Sequence, residues 1–126
     1  MATKKTAPKF LNLFYIKLPA GGVASIGHRI SGVLMFLSIP LVAYLFGLSL
    51  SDPLGFQQAR EFLHSAPLLA VSVALVWSLS HHLLAGIRHL LLDVDVGVGK
   101  AQGRASGWFV NVAALLVTGA YLAVLI

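Results

Sequence analysis

Three long apolar stretches take up most of this 126-residue chain and constrain its fold more than any other feature. Each is about 20 residues or longer, the length that an α-helix needs to cross the hydrocarbon core of a bilayer. Hydrophobic residues make up 58% of the sequence and charged residues only 10%, far from the balance of a soluble domain. We therefore predict an all-α membrane protein with three transmembrane helices, with almost nothing left for a water-soluble catalytic domain.

Polar, glycine and proline residues between these stretches set the predicted boundaries of one membrane-anchor domain, 1–126. Pro40 is expected to kink the first span, a defect that membrane helices tolerate. In chain order the segments are a cytoplasmic or interfacial tail (1–22), helix 1 (about 23–50), a periplasmic connector containing a short amphipathic segment (51–65), helix 2 (about 66–92), a glycine-rich cytoplasmic loop (93–104) and helix 3 (about 105–126).

The distribution of lysine and arginine predicts how the chain is oriented. Five of the nine lie at or before Arg29, one (Arg60) is in the first connector, and three lie around the second. Positive residues favour the cytoplasmic side, so the N-terminus is predicted to be cytoplasmic and the C-terminus periplasmic. An organellar presequence would be longer and richer in arginine, which favours a bacterial inner membrane. The start of helix 1 and the end of helix 2 then reach the same membrane boundary.

Charge and cysteine content exclude several classes of function. The formal net charge of +5 is explained by orientation signals and anionic headgroups, so we expect no nucleic-acid partner. The chain has no cysteine, which excludes disulfides, thiolate nucleophiles and iron–sulfur ligation by this chain. Histidine, with five copies, is the transition-metal ligand that remains.

One face of helix 2 carries ionisable groups, which are rare and usually functional inside a membrane span. His82, Gly86, His89 and Asp93 fall on a single narrow stripe. A neutral imidazole offers a lone pair to a metal, and a glycine one turn on leaves room for a flat macrocycle. The stripe therefore predicts a haem site with His82 as axial ligand of the iron. Its other ring nitrogen is expected to bond to Ser78, one turn below.

Other interpretations of the histidines stay open. His81 is a rival ligand on a neighbouring face, where Ala85 leaves less clearance than a glycine. His82 can also be an ordinary histidine that is hydrogen-bonded inside a bundle. In a haem-free subunit, His82, His89 and Asp93 would form a proton relay. A plain structural anchor with neither haem nor quinone is a further alternative.

Three helices cannot enclose a macrocycle on all sides, because exposed polar edges are costly in lipid. We therefore expect a second membrane subunit to supply the opposite wall and the other axial histidine. The cationic groups available for haem propionates are His89, Arg88 and Arg29. For each of them the alternative is an interfacial cation that extends to the lipid headgroups.

Ser25 and Arg29 lie one turn apart on one face at the start of helix 1. A hydroxyl donor and a fixed cation suit a quinone, because its carbonyl oxygen becomes an oxyanion when it gains an electron in a low-dielectric site. The alternative is that Ser25 caps the helix and Arg29 anchors it to phosphates.

Two motifs in these stretches resemble those of the cytochrome b subunit of succinate dehydrogenase, the larger of the two membrane anchors of that respiratory complex. They are Ser25-x-x-His28-Arg29-x-Ser31-Gly32 and His82-x3-Gly86-Ile87-Arg88-His89-x3-Asp93, in the family's order and spacing. The resemblance extends across the whole three-span chain.

The resemblance implies a role for several residues and a set of partners. By analogy, His82 is an axial ligand of haem b, Ser25 and Arg29 line the ubiquinone pocket, and His28 and His89 lie near the haem propionates. The implied partners are a flavoprotein that oxidises succinate, an iron–sulfur protein and a second small anchor with the other axial histidine. The chain would be a subunit of an enzyme without dehydrogenase chemistry of its own. A fumarate reductase anchor that uses menaquinol is the nearest alternative.

Overall fold

The structure, a computed structural model, describes residues 17–125. Over this range the chain forms four α-helices: α1 (Ala20–Ser51), α2 (Pro53–Leu63), α3 (Ala66–Asp93) and α4 (Lys100–Leu125). The predicted all-α fold class is confirmed. Most of the predicted N-terminal tail, residues 1–16, lies outside the described residues.

Helices α1, α3 and α4 are long and apolar enough to cross a membrane, with mean hydropathies of 2.2, 1.7 and 2.0 over their most apolar windows. They contain 32, 28 and 26 residues. At 1.5 Å per residue they are about 48, 42 and 39 Å long, against a hydrocarbon core of about 30 Å. Each can therefore cross the bilayer and still hold polar turns beyond the hydrocarbon.

Helix α1 begins three residues before its predicted start. Pro19 is its N-cap, and the Pro19 carbonyl accepts hydrogen bonds from the amides of Gly22 and Val23 at 2.8 and 3.1 Å. Ser25 therefore lies inside the helix and does not cap it, so the capping role considered for Ser25 is wrong. The helix runs on through Pro40.

The connector between the first two spans is itself a helix. Asp52 is extended (φ −168°, ψ 173°), as expected for a residue before proline, and this ends α1. Its carboxylate then accepts a hydrogen bond from the Gly55 amide at 2.6 Å and caps α2, in which Pro53 occupies the first turn. Gly55 and Ala59 are the buried residues of α2, so the predicted amphipathic segment packs against the bundle through small residues.

The turn between α3 and α4 is tighter than the predicted loop 93–104. Asp95 and Gly97 adopt left-handed backbone angles (φ 61° and 78°), and the amides of Asp95 and Val96 bond back to the last turn of α3. This reversal is complete before Lys100, where α4 begins. The glycine-rich composition of 99–104 therefore belongs partly to a helix.

The three long helices pack through small residues. Ala24 of α1, Ala85 of α3 and Val110 of α4 form the buried centre. At Gly107 of α4, a Cβ atom would lie only 2.7 Å from the backbone nitrogen of Gly21 on α1. No side chain fits there, so the two helices touch backbone to backbone. Small residues at such contacts are typical of membrane bundles, where close approach replaces the hydrophobic effect as the driving force.

Candidate functional site

His82 on α3 is half-buried, and α1 supplies its hydrogen-bond partners. Its Nδ1 atom lies 3.1 Å from the carbonyl oxygen of His28 and 3.2 Å from the hydroxyl of Ser31. A carbonyl oxygen can only accept, so Nδ1 carries the proton and donates it to this bond. In a neutral ring this leaves the lone pair on Nε2, which is the tautomer of imidazole that binds a metal through that atom.

The prediction that His82 bonds to Ser78 within its own helix is wrong. The Ser78 hydroxyl donates instead to the Ala74 carbonyl at 2.7 Å. Serines inside helices commonly bond to the carbonyl of the preceding turn in this way. The packing of α1 then brings a main-chain carbonyl and a second serine to the ring from another side.

Three histidines from the two sequence motifs meet at this place. The rings of His28 and His82 are stacked, with centroids 4.0 Å apart and planes 14° from parallel. The edge of His89 meets the His28 ring at 5.2 Å and 75°. Residues more than 50 positions apart in sequence thus form one cluster, which we call the histidine cluster (His28, His82 and His89).

Gly86 lies next to the histidine cluster. A Cβ atom on Gly86 would lie 3.5 Å from Nε2 of His28. In this structure the room above Gly86, expected to accommodate a macrocycle, is occupied by the imidazole of His28. Sequence reasoning missed this because the ring comes from a different helix.

His81 faces the interior of the bundle and is only 3% exposed. Its Nε2 donates to the amide oxygen of Asn111 on α4 at 3.1 Å, and the ring lies on the backbone of Gly27, where a Cβ would be 2.5 Å from its Cε1. Trp77 packs beside it at 5.2 Å between centroids. This burial argues against His81 as a ligand of an external macrocycle, because its ring is enclosed between α1 and α4.

Arg88 is directed to α4 and lies apart from the histidine cluster. Its Nε donates to the Ser106 hydroxyl at 3.0 Å, and its Nη2 donates to the Gly103 carbonyl at 3.2 Å. Adjacent residues on a helix are rotated by 100°, so Arg88 and His89 meet different neighbours. The structure does not bring Arg88 together with the other residues predicted to contact haem.

Ser25 and Arg29 lie on the outer side of α1, one turn apart. Ser25 is half-buried and Arg29 is exposed. Their hydroxyl and guanidinium are therefore at the surface of this chain, close in sequence to His28 and Ser31 of the same motif. A ligand or a neighbouring subunit can reach them from outside the bundle.

The donor set does not suit a bare metal ion. Among residues 17–125, no group of three or more histidine or carboxylate side chains is arranged to hold one. Haem iron has a different requirement, because the porphyrin supplies four nitrogens and the protein adds axial ligands one at a time. A single imidazole with a free Nε2 is the donor that such an axial position requires.

A family model described as succinate dehydrogenase/fumarate reductase transmembrane subunit matches residues 3–121. The chain belongs to this family. It is therefore a multi-pass membrane protein, and the resemblance inferred from the two motifs is confirmed.

Relatives from bacteria and a mammal agree with the family assignment. The succinate dehydrogenase cytochrome b556 subunit of Coxiella burnetii is 33% identical over 110 residues, covering 86% of this chain and 88% of the relative. That of Rickettsia felis is 34% identical over 111 residues, covering 88% and 86%. The mitochondrial succinate dehydrogenase cytochrome b560 subunit of Mus musculus is 39% identical over 101 residues, covering 75% and 57%.

Two residues of this membrane subunit have contacts that sequence reasoning did not anticipate. Ser31 is fully buried and reaches the ring of His82, and its only sequence signal was its place in the first motif. Asn111 joins α4 to His81 and also donates to the Ala20 carbonyl at 3.4 Å. The sequence did carry a signal for Asn111, because a side-chain amide in a mostly apolar span usually has a hydrogen-bond partner on another helix.

Proposed function

We propose that this chain is the membrane-anchor cytochrome b subunit of a succinate:ubiquinone oxidoreductase. In this proposal it binds haem b jointly with a second anchor and forms part of the site where quinone is reduced. The observation that carries the proposal is the hydrogen bond from His82 Nδ1 to the His28 carbonyl, which leaves Nε2 as a lone-pair donor on a half-buried surface.

His82 would hold the haem iron through Nε2, with Ser31 and the His28 carbonyl fixing the orientation of the ring. His28, His89 and the exposed Arg29 are the groups suited to the propionates, because they can donate hydrogen bonds to carboxylates at the edge of the cluster. Arg88 is left out because its guanidinium is bonded to α4. When bound, haem supplies a reversible one-electron carrier.

A second membrane subunit is needed to complete the proposed haem site. His82 provides one axial position, and the helices that contact it cover one side of the ring. A second membrane anchor would supply the other histidine and cover the remaining polar surface, since an open polar edge is costly in lipid. The flavoprotein and iron–sulfur subunits of the family would deliver electrons from succinate.

Ser25 and Arg29 are proposed to line the quinone site. The serine hydroxyl donates to a quinone carbonyl, and the guanidinium stabilises the negative charge that develops on that oxygen. Protons reach the reduced quinone from the aqueous side of this boundary. The concentration of basic residues near the start of α1 supports a cytoplasmic location for it, in a bacterial inner membrane. Relatives named succinate dehydrogenase favour succinate oxidation over the reverse reaction.

The haem assignment is tested by the reduced-minus-oxidised spectrum of the purified complex. His82→Ala is expected to abolish the haem bands, whereas the neighbouring His81→Gln is expected to keep them because glutamine can still donate to Asn111. Full haem absorbance in His82→Ala would refute His82 as the ligand. Loss of haem in His81→Gln alone would identify His81 as the ligand instead.

The quinone assignment needs variants that retain haem. Arg29→Leu is expected to lower quinone turnover by about a hundredfold, the order of magnitude seen when one donor to an oxyanion is removed. Ser25→Ala should act in the same direction, while Ser38→Ala, a serine lower on the same helix that bonds to Met35, should have no effect. Unchanged turnover in both test variants would remove Ser25 and Arg29 from the site.

A further inference from the structure

A basic cavity of about 530 Å³ lies where the start of α1, the end of α3 and the start of α4 meet. Cations from the segment before α1, from α3 and from α4 line it, and none of its lining residues is acidic. These cations are Lys17, Arg88, Lys100 and Arg104. Four positive charges around one cavity, at the edge of a membrane-spanning bundle, indicate an anionic ligand.

Arg88 gives this cavity a fixed positive group. Its described hydrogen bonds go to the Ser106 hydroxyl and the Gly103 carbonyl, both neutral oxygens. These bonds hold the guanidinium in place without neutralising it, and a guanidinium has five N–H donors in all. A half-buried charge of this kind is stabilised by an oppositely charged partner. A phosphate bound in the cavity would supply one.

A mainly apolar cavity of about 370 Å³ continues from the basic one between α1, α3 and α4, and its polar lining residues are His81 and Asn111. The two share Leu18, Ala20 and Trp108, and the apolar cavity extends to Leu115. Leu115 lies seven residues beyond Trp108 on α4, which is about 10 Å deeper into the span. The pair of cavities thus combines a charged end at the membrane boundary with an apolar end inside it.

We propose that these two cavities form one binding site for a phospholipid whose headgroup carries a net negative charge. The phosphodiester lies among Lys17, Arg88, Lys100 and Arg104, and an acyl chain runs past Trp108 towards Leu115. Tryptophan is favoured at the level of the headgroups, where its ring meets both parts of a lipid. The site is separate from the histidine cluster and does not depend on haem or quinone.

Charge complementarity selects one class of lipid. A zwitterionic headgroup brings its own ammonium into a cavity already lined by four cations, whereas phosphatidylglycerol and diphosphatidylglycerol bring only negative charge. A basic residue near an anionic membrane surface contributes about a fivefold gain in affinity, so two of them contribute about thirtyfold. Lipids without net charge are therefore expected to bind weakly.

The test uses the whole complex, purified in mild detergent and washed before its bound phospholipids are extracted and measured by mass spectrometry. The wild-type complex is expected to retain about one anionic phospholipid per chain at this site. Lys100→Gln with Arg104→Gln should weaken retention by about thirtyfold. Arg60→Gln, which removes an exposed cation from α2, serves as the control and should leave retention unchanged.

Re-addition experiments identify the ligand. Phosphatidylglycerol should restore binding to the delipidated wild-type complex, and phosphatidylcholine with the same acyl chains should not. Leu115→Trp narrows the apolar cavity, so it should reduce lipid retention while the four cations remain.

Four results would overturn the proposal. Equal retention by the double variant, or equal binding of phosphatidylcholine, would remove the selectivity for anionic lipid. Displacement of the lipid by millimolar inorganic phosphate, with no effect of Leu115→Trp, would assign the cavity to a free anion. Loss of the soluble subunits from the double variant, with lipid retained, would assign the cations to a protein partner. Haem absorbance is recorded in every variant, so failure of the haem proposal is scored separately.

Discussion

Replacing Gly27 by alanine tests how closely α1 and α3 must pack. A Cβ atom at this position would lie 2.5 Å from Cε1 and 2.7 Å from Nε2 of His81. The first distance is about 1 Å shorter than an ordinary carbon–carbon contact. The His81 ring has little freedom to withdraw, because it is 3% exposed and bonded to Asn111.

The expected cost has two parts. Forcing one methyl group against a ring that already touches the Gly27 backbone costs about 1–3 kcal/mol, as overpacking generally does. If the ring moves to relieve the overlap, the bond between His81 and Asn111 is also lost, which adds about 0.6 kcal/mol inside a membrane bundle. If both parts apply, Gly27→Ala should destabilise the folded subunit by about 1.6–3.6 kcal/mol.

The assay is detergent-induced unfolding of the purified complex, followed by loss of helical circular dichroism. Gly47→Ala is the matched control, because it makes the same substitution on the same helix at a position where a Cβ meets nothing within 4 Å. His81→Ala supplies a second check. If the methyl group fills the space of the deleted ring, the double variant will be more stable than the sum of the single effects predicts.

Two outcomes would refute this reasoning. Equal stability of the Gly27→Ala and Gly47→Ala variants would mean that α1 and α3 do not approach as closely as described. Strict additivity of Gly27→Ala and His81→Ala would mean that the alanine methyl group and the imidazole do not compete for the same space.

Three further predictions concern single hydrogen bonds. Ser31→Ala should raise the haem midpoint potential by about 20–60 mV, because the ligand ring loses an acceptor worth about 0.5–1.4 kcal/mol, whereas Ser38→Ala should leave the potential unchanged in a redox titration. Tyr121→Phe removes a 3.0 Å bond between α4 and α3 and should cost about 0.6 kcal/mol in detergent unfolding, while exposed Tyr44→Phe should cost nothing. Asp52→Ala should destabilise the start of α2 by about 1 kcal/mol, seen as faster amide exchange there, and Asp52→Asn should preserve it. An unchanged haem potential in Ser31→Ala would contradict the bond to His82. Equal stability of the Tyr121→Phe and Tyr44→Phe variants would contradict the bond between α4 and α3, and unchanged amide exchange in Asp52→Ala would contradict the cap of α2.

The three spans could be predicted because their length and apolar content leave few alternatives. The starts of α1 and α4 could not be predicted in this way. Gly21 and Gly22 were assigned to the tail 1–22, yet they lie in the first turn of α1, where Gly21 lies against Gly107 of α4. Lys100 likewise begins α4 in a segment whose glycines suggested a loop. In both places contact between helices outweighs local propensity, and a single sequence does not reveal that contact.

The candidate site divides in the same way. The stripe with His82 and His89 could be predicted because it needs only the period of one helix. The partners of these rings could not, because they depend on the relative rotation of two helices. The carbonyl of His28 and the hydroxyl of Ser31 reach His82 from α1, and Asn111 reaches His81 from α4. Local reasoning assigned the bond to Ser78, which shares a helix with His82.

The main-chain acceptor for His82 has an evolutionary consequence. Every residue type at position 28 keeps a carbonyl, so no substitution there deletes the oxygen that receives the Nδ1 proton. The choice of ring tautomer therefore depends on how α1 and α3 dock, whereas the His28 side chain serves the separate role proposed for it at the haem propionates. Substitution of the small residues that set the spacing of α1 and α3 would therefore disturb the Nδ1-protonated form of His82. Substitution of residue 28 itself would leave the carbonyl acceptor in place.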